Sequence, residues 1–159
     1  MLRTRNTLPE AIRSRSVALL NRHLSAAIDL HGQLKQAHWN LRGPSFIAVH
    51  ELFDKIADEA QAYSDKIAER AAQLGGAAEG TIRVAAERSF LLPYTLGVAG
   101  EKEHLAAVSG ALAVFGEGVR KAIEEAAGFG DADTADLFTE VSRGVDYELW
   151  LVESHLGQG

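Results

Sequence analysis

The sequence predicts an all-α four-helix bundle with a short extra helix in a long crossover between the second and third long helices. Ala, Leu and Glu are plentiful and only three prolines interrupt 159 residues, a composition that favours helix over sheet. Apolar residues recur at three- and four-residue spacing over long stretches, the period of one helical face. The breaks fall at Gly43-Pro44, between about Gly76 and Gly100, and near Gly128. They divide the chain into two hairpins joined by one connection too long for an ordinary bundle turn.

Thr7-Leu8-Pro9-Glu10 reads as a capping box, with Pro9 tolerated in the first turn. Leu20, Leu24, Ala27, His31, Leu34, His38 and Leu41 then mark one face of the first helix. Gly43-Pro44 ends it and starts the second helix, because proline fits a first turn. The second helix runs to Gly75-Gly76 with a core stripe of Val49, Leu52, Phe53, Ile56, Ala60, Tyr63, Ile67 and Leu74. Thr81 to Arg88 forms the short helix of the crossover, and Pro93 and Gly97 break the rest. Glu101 and Glu103 suit the N-terminal dipole of a third helix ending near Gly128. Asp131 or Asp133 caps a fourth, which reaches about His155. No repeat or second domain is visible, so residues 1–159 read as one domain with a short arm at 1–7.

Composition excludes several classes of function. The chain contains no cysteine, which removes disulfides, thiolate metal sites and thiol catalysis. The net charge of −6 argues against nucleic-acid binding by the body of the domain. No apolar run approaches the roughly 20 residues that span a bilayer, and no secretory signal opens the chain. A cytoplasmic protein is expected, with association with the nucleoid as a second location.

The second helix carries the most unusual pattern. At 3.6 residues per turn, His50, Asp54, Asp65 and Glu69 share a stripe roughly 100° wide, almost opposite the core stripe. Asp58 and Gln61 join it, so the stripe taken alone reads more readily as a plain solvated helix face. His38 alters that balance. It lies as far before the Gly43-Pro44 turn as His50 lies after it, within about two residues, so the two imidazoles meet at similar heights. Imidazole with carboxylate suits divalent iron or zinc better than magnesium or calcium. Asp54 and Asp65 are about 16 Å apart along the helix, whereas a metal–ligand bond is about 2 Å long. One chain therefore cannot use both on one ion. Two antiparallel second helices about a two-fold axis would bring His50 and Asp54 of one chain to Asp65 and Glu69 of the other.

The stretches Lys35-Gln36-Ala37-His38-Trp39-Asn40, Arg42-Gly43-Pro44 and Phe46-Ile47-Ala48-Val49-His50-Glu51 resemble the signature of the Dps family. These are the mini-ferritins of starved bacteria, with a ferritin-like bundle. The resemblance continues at Ala68-Glu69-Arg70-Ala71, Gln73-Leu74-Gly75-Gly76, Asp133-Thr134-Ala135-Asp136-Leu137 and Leu149-Trp150. It implies a ferroxidase whose ligands are His38, His50 and Asp54 of one subunit with Asp65 and Glu69 of its two-fold mate. It implies a homododecamer of two-fold dimers that oxidises Fe2+ to Fe3+, preferentially with hydrogen peroxide rather than oxygen, and stores the ferric mineral. By the same resemblance Asp133 and Asp136 line an acidic entry pore. For Asp131 capping competes with that role. Trp39 packs by default and accepts a stray oxidising equivalent in the alternative reading.

Many family members bind DNA through a long lysine-rich N-terminal tail, which these residues do not offer. Only Arg3 and Arg5 precede the first helix and Gly157-Gln158-Gly159 carries no basic residue, so DNA binding is expected to be weak or absent. The competing function is a nucleoid-compacting shell with iron oxidation secondary. An intrasubunit di-iron ferritin would need two Glu-x-x-His motifs, and only Glu101-x-x-His104 occurs. A structural shell holding zinc or no metal completes the alternatives.

Overall fold

A computed structural model describes residues 1–157, and among them every regular element is helical. The helices are α1 (Glu10–Asn40), α2 (Phe46–Gln73), α3 (Ile82–Arg88), α4 (Glu101–Phe129) and α5 (Ala132–Leu156). The first hairpin packs α1 on α2 and the second packs α4 on α5, while α3 lies over α1 within the crossover. The core forms where their apolar stripes meet, with Phe53, Phe115 and Phe138 fully buried among leucines from α1 and α4. Each such side chain contributes about 1.5–3 kcal/mol on leaving water. The expected core stripe of α2 is buried except for Leu52, which is half-buried at its margin. Among the described residues, no helix is long and apolar enough to cross a membrane.

Two helix starts differ from the sequence reading. The capping box at Thr7 does not form. Pro9 is the residue before α1 and no side chain caps that end, leaving the Thr7 hydroxyl two residues too far upstream. The preceding chain is held instead by Asn6, whose Oδ1 accepts the Leu8 N–H at 2.9 Å. Pro44 lies in a turn rather than in the first turn of α2, which begins at Phe46. A glycine is required at 43, where a Cβ would fall 2.4 Å from Glu101 Oε2. That carboxylate accepts the Ser45 N–H at 2.9 Å.

The crossover ends by pairing with this same turn. The Arg42 N–H donates to Ala99 O at 2.8 Å, and the Glu101 N–H donates to Arg42 O at 3.0 Å. This clamp, formed between residues nearly 60 positions apart, fixes the register of α1 against α2. At the other end of the bundle the N-terminal arm is docked. The Leu2 N–H donates to Gly75 O at 2.6 Å, and buried Arg13 donates to Leu74 O at 2.9 Å. Gln158 and Gly159, part of the uncharged C-terminus noted above, lie outside the described residues.

Candidate metal centre

The α1–α2 turn brings His38 and His50 face to face, with ring centroids 3.7 Å apart and planes at 19°. Each ring is oriented by the other residue's backbone. His38 Nδ1–H donates to His50 O at 2.9 Å, and His50 Nδ1–H donates to His38 O at 2.9 Å. With both Nδ1 atoms acting as donors, each neutral ring keeps its Nε2 lone pair. Hydrogen bonds of this kind from the far ring nitrogen fix metal-ligating imidazoles.

Asp54, one turn beyond His50, stands beside one ring of the pair. Its Oδ1 lies 3.8 Å from His38 Nε2 and 2.5 Å from Lys35 Nζ. The Lys35 hydrogen bond, helped by the Lys35 charge, holds the Asp54 carboxyl below its ordinary range. An anionic oxygen therefore stands beside an imidazole nitrogen, a donor pair suited to a borderline divalent ion. The sequence reading missed the part played by Lys35. Its signal was the one-turn spacing Lys35-x-x-His38 on a helix facing Asp54.

Asp65 and Glu69 of the same chain do not join these side chains. Both are exposed on the outward face of α2. Asp65 borders an open groove of about 890 Å³ between α2 and the crossover, with Asp58, Gln61, Gly80 and Thr81. Among the described residues, no three His, Asp or Glu side chains of one chain come together to hold a metal ion. The outward stripe is also flanked by apolar surface. Trp39 is 67% exposed and Ile47 is 62% exposed, which suits a face covered by another protein surface.

The remaining candidates divide by burial. Asp131 is 1% exposed and caps α5 by accepting the Thr134 N–H at 3.1 Å. It also accepts from Ser16 at 2.6 Å and from Arg70 at 2.9 Å, so its carboxylate is committed to the fold and not to a pore. Asp133 and Asp136 are exposed. His31 is half-buried and donates from Nδ1 to Ala57 O at 3.0 Å, tying α1 to α2. Glu101-x-x-His104 is likewise structural. Glu101 clamps the Gly43 turn, and buried His104 shares a hydrogen bond of 2.6 Å between its Nδ1 and the Tyr94 hydroxyl. That phenol stays protonated because burial pushes it up to about 12.

The family model of the ferritin-like domain matches residues 17–159. The chain is 40% identical over 154 residues to the DNA protection during starvation protein of Agrobacterium fabrum, covering 97% of this chain and 95% of that one. Among solved structures, Mycobacterium smegmatis Dps in its tetragonal form superposes with a TM-score of 0.93 at 31% identity, covering 100% of this chain and 96% of that one. DpsA14 from Streptomyces coelicolor gives 0.91 at 36% identity, covering 98% and 92%.

Proposed function

We propose, from the premise that this chain belongs to the ferritin-like family and within it to the Dps proteins, that it is a ferroxidase with an iron site completed by a second copy of itself. Iron storage and DNA protection are the functions that membership implies. His38, His50 and Asp54 of one subunit bind ferrous iron together with Asp65 and Glu69 of the two-fold mate. The observation that carries this reading is the reciprocal orientation of His38 and His50, which leaves each ring its Nε2 lone pair, that of His38 beside Asp54. The separate, outward Asp65 and Glu69 support a split site. The exposed Trp39 and Ile47 support the covering of this face by another subunit.

In the reaction proposed, two ferrous ions each give one electron to one hydrogen peroxide. With two protons taken up, the O–O bond breaks into two waters and no hydroxyl radical is released. Ferric mineral then collects inside a homododecamer of two-fold dimers in the cytoplasm, with peroxide used in preference to oxygen. Asp133 and Asp136 raise local cation concentration at an entry pore. Trp39 packs at the interface, and its ring next to His38 makes it the residue to examine for a trapped oxidising equivalent. The docked arm gives no support to nucleoid compaction as the main activity.

Complementation tests the split site. His50→Ala and Glu69→Ala shells, each slow in ferrous oxidation alone, are refolded together. Mixed dimers then collect both lesions in one site and none in the other, so fast oxidation returns to a fraction of sites. If mixing restores nothing while the mixed shells assemble, the ligands belong to one chain and the proposal fails.

A further inference from the structure

Away from the histidine pair, α2 and α5 enclose a second polar site. Glu148 interrupts the apolar face of α5 between Val145 and Val152 and is only 4% exposed. Its Oε1 accepts the Tyr63 hydroxyl at 2.7 Å, while among the described residues no donor reaches the buried Oε2. A buried carboxylate oxygen without a partner is costly. Glu148 lines a cavity of about 210 Å³ with Lys55, Glu59, Tyr63, Gly144 and Tyr147 among its neighbours. The backbone is shaped to this pair. A Cβ at Gly144 would lie 2.0 Å from the Tyr63 hydroxyl, so a larger residue there would drive the phenol off the carboxylate.

We infer that this cavity is a binding site for one hydrated, oxygen-preferring divalent cation per chain, held by Glu148 Oε2 with Glu59 at the rim. The chemistry of the lining selects the class. It offers carboxylate and phenol oxygens with no imidazole or thiolate, the donor set of manganous, magnesium or ferrous ions rather than of zinc. The volume is that of about seven waters at roughly 30 Å³ each, enough for an ion that keeps part of its shell. Tyr63 is a positioning residue. By donating to Oε1 it fixes the carboxylate and leaves Oε2 as the free acceptor, as outer hydrogen bonds orient metal-bound carboxylates. Lys55, whose charge favours ionised Glu148 while that of Glu59 opposes it, competes with the bound ion. Burial pushes the Glu148 carboxyl up to about 7, so protons compete as well and occupancy rises with pH. Lys55, Glu59, Tyr63 and Tyr147 are the titratable groups facing it from the two helices.

Manganous ion is the probe, counted by electron paramagnetic resonance in intact shells of the wild type, Glu148→Gln and Asp65→Ala/Glu69→Ala. The wild type is expected to bind a class of one ion per chain that survives in Asp65→Ala/Glu69→Ala. That class weakens at least tenfold in Glu148→Gln, whose fold is checked by circular dichroism and shell size. Lys55→Gln tightens it roughly fivefold, the effect of one neighbouring charge in a partly hydrated site. Failure of Glu148→Gln to weaken any class overturns the inference and leaves the proposed iron site untouched. Loss of the class in Asp65→Ala/Glu69→Ala also overturns it, because the ions would then belong to the subunit interface. Absence of the class in wild type shows that Glu148 is held as a neutral acid, and equally overturns it.

Discussion

Asp131→Ala separates capping from a pore role by its cost in stability. The carboxylate serves Thr134, Ser16 and Arg70 at once. Losing an N-cap costs about 1 kcal/mol. Ser16, fully buried, loses its acceptor at about 1 kcal/mol more. Breaking a buried ion pair costs about 3–5 kcal/mol, but Arg70 retains Thr134 Oγ1 at 3.1 Å and Asp133 at 3.8 Å. Its share is therefore nearer about 2 kcal/mol. The total is about 4 kcal/mol against the roughly 5–15 kcal/mol of a typical domain. Asp131→Asn keeps the cap without the charge and loses about half as much. Asp133→Ala, at a side chain 84% exposed, stays within about 0.5 kcal/mol. Urea unfolding at fixed protein concentration, followed by circular dichroism, reads all three. A loss under about 1 kcal/mol in Asp131→Ala would refute the reasoning. The pH dependence follows the same contacts. Burial alone would raise the Asp131 carboxyl, but the Ser16 and Thr134 hydrogen bonds and the Arg70 charge outweigh it and hold it below its ordinary 3.8. A depressed carboxyl contributes stability that is present above 3.8 and lost as pH falls through the folded-state value. Asp131→Asn lacks that part of the acid transition.

Lys35→Met frees Asp54 from its ammonium partner and should tighten ferrous binding roughly threefold or more; unchanged affinity in anaerobic titration would show that Lys35 does not compete with the metal. Glu148→Gln should flatten the pH dependence of stability in chelator-treated protein. The wild-type carboxyl rises from its ordinary 4.5 to about 7, so its contribution is present below 4.5 and lost as pH climbs through 7, at about 3 kcal/mol in all. Parallel melting profiles of variant and wild type from pH 5 to 8 would contradict this. Unmodified protein should retard duplex DNA weakly or not at all at moderate salt, because its short arm is docked on Gly75 and few phosphates are neutralised. A lysine-rich arm grafted ahead of Leu2 should create salt-sensitive binding, and tight retardation without the graft would reveal a surface this reasoning missed.

The helices were legible because their signals are local. Thr81 caps α3 through the Val84 N–H, and Asp131 caps α5, where sequence placed those starts. The outward stripe of α2 was legible for a different reason: carboxylates eleven residues apart on one helix cannot share an ion, a limit set by helix rise alone. What escaped depends on contacts between distant segments. Glu148 looked like one more helix carboxylate, and only the packing of Tyr63 against Gly144 buries it with one oxygen unpartnered. The Thr7 box failed because Asn6 gathers the preceding chain. The meeting of His38 and His50 belongs to both kinds. Equal spacing about a turn predicts similar heights, yet stacking at 3.7 Å with reciprocal 2.9 Å hydrogen bonds also requires the turn to be held. The clamp from Ala99 and Glu101 onto Arg42 and Ser45 holds it. The crossover therefore does more than connect two hairpins: it sets the orientation of both imidazoles, and with it the two lone pairs on which the proposed iron chemistry depends.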